Sequence, residues 1–266
     1  MQLWPTLLMR AFAAQLTDCD SHSMPPVAFV GPLLATLLLL LWTENLRSIF
    51  WIALIPGAAC LALILFGVVD NVTPTVNTKR IAWKDLKIVM TPAFVQLVIL
   101  GSLFSLARFS NAFIVLRAAD IGIEHAWIPM ALILMNIAFS LSSYPFGKLV
   151  DKLNPMKLLA LGMVLLVLAN LLFAYAANYR ILAAGIVLFG MHLGATQGIF
   201  STIISEIAPS EVRATAFGIF NFFSGLALLA SGLVAGSLWE YMGAQYCFGG
   251  GVVFALITLC LIPRFK

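Results

Sequence analysis

The chain has 266 residues, of which 62% are hydrophobic and only 10% are charged, with a net charge of +4. A soluble domain ordinarily carries about 25% charged residues, and one core of this length could not bury so much apolar surface. The composition therefore argues against a soluble globular protein and predicts an integral membrane protein.

The first residues, 1–26, are irregular and moderately polar, and we treat them as an unassigned tail. Eight apolar segments follow, and each approaches or exceeds the length of about 20 residues that a bilayer-spanning helix needs. They lie at about 27–42, 48–69, 93–116, 124–147, 156–177, 180–206, 213–238 and 243–263. Because a spanning chain must satisfy its own backbone hydrogen bonds, we predict an all-α bundle of about eight transmembrane helices.

The longest connection, residues 70–92, begins with a polar run and continues with a basic stretch around Trp83. It is the best candidate for a domain boundary. Lysines and arginines are concentrated on one predicted side of the membrane, with Arg47, Arg117 and Arg180 on the other side. Cytoplasmic loops carry an excess of basic residues, so we predict that both termini are cytoplasmic. We expect the protein to reside in the cell (inner) membrane.

Arg108 is the one lysine or arginine that lies well inside a predicted span rather than at its end. A charge at that depth is costly and usually faces a bundle interior or water. At helical spacing it shares a face with Gly101, Ser105 and Ala112. Two interpretations remain open: Arg108 has a structural role, snorkelling or pairing with carbonyl groups, or it lines a cavity and contacts an anionic group.

Small and polar residues form stripes on three other spans. Such stripes usually serve close helix packing, but their polar members also suit a cavity wall. We select five cavity candidates from these spans: Arg108, Asn111, Asn136, Gln197 and Asn221. His192 falls on the face opposite Gly190 and Gly194. We interpret it as a packing residue, with a proton carrier as the alternative.

The residues that usually build chemical centres are scattered along the sequence. The four cysteines and three histidines stand singly, so we expect no metal site and no disulfide framework. The sequence contains no nucleophile elbow, phosphate-binding loop or zinc-protease motif. We therefore expect no enzyme activity and no cofactor.

Two loops carry a family resemblance. The loop after the fourth span contains Gly147, Asp151, Lys152 and Lys157 at the spacing of the cytoplasmic signature of the major facilitator superfamily. The loop after the sixth span, Ala208 to Gly218, is similar to the P-x-E-x-R turn that opens the penultimate helix of many members. Pro209, Glu211 and Arg213 supply its matching residues.

This resemblance implies a secondary transporter that moves a small solute by alternating access, with or without a coupling ion. Residues 93–266 would form its six-helix carboxyl-terminal half, 27–69 the last two helices of the other half, and 70–92 the central cytoplasmic loop. Asp151 would approach Arg213 in a cytoplasmic gate that also includes Gly147, Lys152 and Lys157.

Four amino-terminal helices of such a transporter have no counterpart in the chain. We therefore expect a truncated protein that does not transport alone, whose partners are lipid, the solute and the missing helices, and not nucleic acid. The alternative is an autonomous eight-helix membrane scaffold or assembly protein whose glycine stripes serve packing.

Overall fold

The computed structural model describes residues 88–124, 127–150 and 153–264, and of the preceding chain only 54–55, 57–58 and 61–62. The predicted spans at 27–42 and 48–69 therefore lie outside the described residues, apart from those six positions. The long helices all belong to one compact unit, Arg80–Lys266, and Met1–Lys79 is a separate unit.

The described unit is built from α-helices. They are α1 (Pro92–Ala107), α2 (Ala112–Asp120), α3 (Ile128–Val150), α4 (Pro155–Ala174), α5 (Tyr179–Thr196), α6 (Ile199–Ile207), α7 (Arg213–Met242) and α8 (Ala244–Leu261). A short 3₁₀ turn, Ile262–Arg264, follows α8.

Six segments of this unit are long and apolar enough to cross a membrane: Pro92–Asp120, Met130–Val150, Pro155–Ala174, Tyr179–Ile207, Arg213–Met242 and Ala244–Leu261. They follow the order of the last six predicted spans, and the all-α membrane fold is confirmed. Two of the six, Pro92–Asp120 and Tyr179–Ile207, each contain two helices separated by an interruption. Each of these two spans is predicted from the sequence as a single segment, and its interruption is not predicted.

Local sequence explains where several helices begin. The hydroxyl of Thr91 accepts a hydrogen bond from the Phe94 amide, and Pro92 occupies the first turn of α1. The side chains of Asn154 and Asn178 cap α4 and α5 in the same way. Capping side chains satisfy amides that a helix leaves unpaired at its start, and a proline there loses no hydrogen bond.

Helix α5 lies between α3 and α4, and α8 packs against α4, α1 and α7. Glycines allow α5 to approach α3 closely. A Cβ atom placed on Gly190 would lie 2.6 Å from the Met135 carbonyl oxygen, and one on Gly194 would lie 2.3 Å from the Ser142 hydroxyl oxygen. For these two glycines the structure supports the packing role of the stripe.

Helix α7 packs on α1 and α8 but leaves much of its surface open. The glycines of its stripe, Gly218, Gly225, Gly232 and Gly236, would meet nothing within 4 Å if each carried a Cβ atom. These glycines therefore do not serve packing within the described unit. The helix is also long, with 30 residues, whereas α8 has 18.

Candidate functional site

The first interrupted span breaks at residues 108–111, between α1 and α2. Arg108 ends α1 with an extended backbone (φ −96°, ψ 90°), and its amide still bonds the Phe104 carbonyl oxygen at 3.2 Å. Asn111 then precedes α2 without a capping side-chain hydrogen bond. The α1 helix therefore ends inside the span, and Arg108 does not continue a regular helical face from Gly101 and Ser105.

The second interrupted span breaks at Gln197 and Gly198. Gly198 adopts a left-handed backbone (φ +83°), a conformation that costs any residue with a Cβ atom, so glycine suits this position. Its missing side chain also leaves the start of α6 without a side-chain cap. At the start of α2 the Ser110 hydroxyl accepts a hydrogen bond from the Ala112 amide at 3.3 Å, whereas no side chain caps α6. A helix start carries partial positive charge, so the uncapped start of α6 places such a charge within a membrane span.

An aromatic cluster, which we define as Phe104, His192, Phe200 and Phe220, joins these two interruptions to α7. The Phe104 ring lies 5.6 Å from His192 and 5.1 Å from Phe200, measured between ring centroids, and Phe200 lies 5.2 Å from Phe220. Phe220 also covers Gly101, where a Cβ atom would lie 2.4 Å from its ring. Ring pairs at these separations attract one another, and here they hold α1 against α5 and α6, and α6 against α7.

Arg108 is partly buried, and its guanidinium lies over the Phe104 ring, 5.9 Å from the centroid. A cation over an aromatic face is attracted by about 0.5–2 kcal/mol, which is less than the cost of holding a charge within a membrane. The salt bridge of the described residues joins Arg117 to Asp120, and no carboxylate there pairs with Arg108. The positive charge is therefore uncompensated within this part of the chain.

Three of the other cavity candidates are exposed on the surface of the described unit. Asn111 and Gln197 stand at the two interruptions, and Asn221 follows Phe220 on α7. Polar groups in the middle of spans avoid lipid, so this surface is suited to water, a solute or another part of a protein. The structure thus places Arg108 and Asn111 at the first interruption, Gln197 at the second, and Asn221 next to Phe220 of the aromatic cluster.

Asn136 is placed differently from the other candidates. It lies half-buried on α3, and its amide nitrogen donates to the Leu132 carbonyl oxygen at 2.9 Å, within the same helix. It contributes nothing to the aromatic cluster.

His192 is fully buried, and its Nδ1 atom lies 2.8 Å from the Gly162 carbonyl oxygen on α4. Its Nε2 atom has no hydrogen-bond partner among the described residues. The histidine also contacts the rings of Phe104 and Phe189. These contacts tie α5 to α4 and α1, as expected for a packing residue.

The residues of the predicted cytoplasmic gate are only partly described. Asp151 and Lys152 lie outside the described residues, whereas Gly147 and Lys157 are exposed at the end of α3 and the start of α4. The Arg213 guanidinium donates to the Ser205 carbonyl oxygen at 3.1 Å. This bond connects the start of α7 to the last turn of α6.

Between these two helices, Glu211 accepts a hydrogen bond from the Ser210 hydroxyl at 2.8 Å. The pKa of Glu211 is lowered from its ordinary value, chiefly by its own backbone amide, then by that hydroxyl and by the positive charge of Arg213. The loop therefore retains a carboxylate beside the Arg213 cation.

Sequence reasoning missed Phe104, Phe200 and Phe220. The chain contains 20 phenylalanines, so composition does not single out these three. A usable signal existed nearby, because Ser110 and Asn111 are residue types that often stand at helix starts.

Residues 97–265, which make up more than half of the chain, match the Major Facilitator Superfamily. The chain belongs to this superfamily. The predicted recognition from the two loops is thereby confirmed, and the chain is an integral membrane protein of a transporter superfamily.

Curated members of the superfamily resemble different lengths of the chain. An uncharacterized MFS-type transporter of Methanocaldococcus jannaschii is 31% identical over 244 residues, which cover 88% of this chain and 60% of that protein. The quinolone resistance protein NorA of Staphylococcus aureus is 31% identical over 107 residues, covering 39% of this chain and 26% of that protein. The glucose transporter GlcP of Staphylococcus epidermidis is 26% identical over 113 residues, covering 42% of this chain and 25% of that protein.

The chain therefore spans about three-fifths of the length of the archaeal superfamily member and matches about a quarter of the other two.

Proposed function

We propose that the chain forms the carboxyl-terminal part of a secondary transporter that moves a small solute across a membrane by alternating access. The observation that carries this proposal is the pair of interrupted spans, which meet at the aromatic cluster. Interrupted helices near the middle of the membrane are a common way for transporters to build a solute site. Membership of a transporter superfamily agrees with this function and does not favour a non-transporting scaffold.

In this proposal residues 93–266 are the six-helix carboxyl-terminal half, 27–69 are the last two helices of the amino-terminal half, and 70–92 are the central loop. Both termini lie in the cytoplasm, and the protein resides in the inner membrane. In this proposal the complete cavity includes helices beyond those of this chain, and transport proceeds with or without a coupling ion.

Arg108, Asn111, Gln197 and Asn221 line the solute cavity, and Asn136 supports its wall from α3. On the cytoplasmic side, Gly147, Asp151, Lys152 and Lys157 form a gate with Arg213. The hydrogen bond from Arg213 to Ser205 supports this assignment because it links the gate to α6, whose other end is the interruption at Gly198.

Solute uptake by the full-length product of the gene tests the proposal. The protein is reconstituted in vesicles and offered glucose, a fluoroquinolone and benzoate, since GlcP and NorA are named for sugar transport and quinolone resistance. We expect saturable uptake of at least one solute above that of empty vesicles. Asn221→Trp, which places a bulky ring beside the cluster, should abolish that uptake.

Gly249→Trp is the matched control, because a Cβ atom at Gly249 would meet nothing within 4 Å and the position lies on α8, away from the cluster. It should transport normally. If a folded, helical protein shows no uptake of any of the three solutes, the proposed function is wrong. If Asn221→Trp transports as well as the unaltered protein, the cavity is misplaced.

A further inference from the structure

The charge balance around Arg108 indicates what the site binds. The described acidic residues all stand at or beyond the ends of the membrane spans: Asp120, Glu124, Glu206, Glu211 and Glu240. Arg108 lies between α1 and α2, well inside its span. Among the described residues, the Arg108 guanidinium therefore has an aromatic ring beneath it and no negative charge beside it.

An unpaired charge within a membrane span is energetically costly. A partly buried cation loses hydration, and the Phe104 ring returns only a small part of that loss. The nearby His192 does not help, because its Nδ1 atom is engaged with the Gly162 carbonyl oxygen and an imidazole carries no negative charge. An anion that binds against the guanidinium would neutralise this positive charge.

The surroundings favour one negative charge carried by an organic body. The other exposed residues that we propose for the cavity, Asn111, Gln197 and Asn221, are uncharged, so among them and Arg108 only the arginine supplies a full positive charge. The start of α6, which no side chain caps, adds only partial positive charge. The rings of the aromatic cluster provide apolar surface rather than further polar groups.

We propose that Arg108 binds the anionic group of the transported solute, and that this solute is a small organic monoanion such as a monocarboxylate. This inference rests on the proposed transport function, and it specifies the substrate class of the same site. Arginine suits this role because its planar guanidinium matches the two oxygens of a carboxylate.

A structural role for Arg108 makes the opposite prediction for stability. If Arg108 pairs with an acid elsewhere in the protein, removing it leaves that acid unpaired in the membrane, and the protein unfolds at a lower temperature. If Arg108 instead binds an anionic solute, Arg108→Gln removes a positive charge that has no partner in the ligand-free protein. The ligand-free protein then keeps its unfolding temperature or gains about 2–4 °C.

The test compares thermal unfolding of the full-length gene product and two variants, Arg108→Gln and Arg108→Lys, in detergent. The probes are acetate, lactate and benzoate as monoanions, inorganic phosphate as a more highly charged anion, and benzyl alcohol and benzylamine as neutral and cationic counterparts of benzoate. Arg180→Gln is the control, because Arg180 is an exposed arginine bonded to the neighbouring Tyr179 hydroxyl.

We expect at least one monoanion to raise the unfolding temperature of the unaltered protein and of Arg180→Gln. The affinity should fall about 10- to 100-fold in Arg108→Gln, as expected for loss of a charged hydrogen bond, and fall less in Arg108→Lys. Benzyl alcohol and benzylamine should have no effect that depends on Arg108.

Four results overturn the proposal: a lower unfolding temperature of ligand-free Arg108→Gln, a response to phosphate alone, equal responses with and without Arg108, or no response to any monoanion. The uptake experiment separates this proposal from the transport function. If glucose or a fluoroquinolone is taken up and Arg108→Gln leaves that uptake unchanged, the transport function stands and the anion site at Arg108 is wrong. If a monoanion binds but no solute is taken up, the anion site stands and the transport function is wrong.

Discussion

The Nε atom of Arg117 donates a hydrogen bond to the carbonyl oxygen of Phe173, 3.0 Å away. The same guanidinium reaches the carbonyl oxygens of Ala174 and Ala176 at 3.4 and 3.1 Å, and it forms a salt bridge with Asp120. Carbonyl groups at the end of a helix have no partners within the helix and carry partial negative charge. Arg117, near the end of α2, therefore caps α4.

Arg117→Ala should destabilise the unit by about 2–3 kcal/mol, because it removes charged hydrogen bonds and leaves carbonyl oxygens of α4 unpaired. Unfolding in detergent measures this loss, and hydrogen exchange at residues 173–178 locates it. Arg180→Ala is the matched control, since Arg180 is exposed at the start of α5 and, in the described contacts, its side chain hydrogen-bonds the hydroxyl of the neighbouring Tyr179. Equal stability of the two variants would contradict the capping role.

Gly190→Ala should destabilise the contact between α5 and α3 by about 1–3 kcal/mol, the usual cost of overpacking. The new methyl group would meet the Met135 carbonyl oxygen at 2.6 Å and the Ala138 Cβ atom at 2.7 Å, and neither atom is the end of a flexible side chain. Gly249→Ala should be neutral or slightly stabilising, because nothing lies within 4 Å of that position. Unfolding curves of both variants check the difference.

Gly198→Ala should cost about 1–2 kcal/mol, because a side chain disfavours the left-handed backbone at that position. Gly198→Asn should cost less, since asparagine tolerates this conformation better. Gly122 has a similar backbone (φ +85°) in the turn after α2, so Gly122→Ala should lose comparable stability. Of the two alanine variants, only Gly198→Ala should change solute binding, which isothermal titration with acetate, lactate and benzoate would measure.

Ser210→Ala should raise the pKa of Glu211 towards its ordinary value, because it removes the hydroxyl that stabilises the carboxylate. Ser210→Thr should preserve the lowered pKa. A carboxyl group whose pKa is lower in the folded protein stabilises the fold above its unfolded-state pKa, and this contribution is lost as the pH falls through the folded-state pKa. Carbon-13 NMR titration of Glu211 measures both variants, and an unchanged pKa in Ser210→Ala would count against the hydroxyl.

Much of the fold could be predicted because membrane spans are written in long apolar runs. The last six predicted spans correspond to the six described ones, and the two loops with Pro209 and Gly147 already indicated the superfamily. Lipid imposes this agreement, since only long apolar helices satisfy the backbone there.

The interruptions could not be predicted with the same rules. At the first one the sequence is Arg108, Phe109, Ser110 and Asn111, without a proline or glycine to mark a break. At the second one Gly198 continues the four-residue spacing of Gly190 and Gly194, so periodicity favours one unbroken helix. Only the backbone conformation separates Gly198 from the two packing glycines.

The candidate site was predicted through its polar members and missed through its aromatic ones. The sequence identifies Arg108 because a charge inside a span is costly, whereas a phenylalanine is compatible with every face of such a helix. The contacts among Phe104, Phe200 and Phe220 bring α1 against α6, which in turn contacts α7, and α1 is distant from both in the sequence. No local pattern contains that information.

The unequal lengths of α7 and α8 have a mechanical consequence. A helix rises 1.5 Å per residue, so the two helices measure roughly 45 and 27 Å, and they meet at Gly243. The hydrocarbon layer of a bilayer is about 30 Å thick, which suits α8 but is too thin for an upright α7. Helix α7 must therefore lean or project into the headgroup region, and its packing on α1 and α8 constrains its inclination.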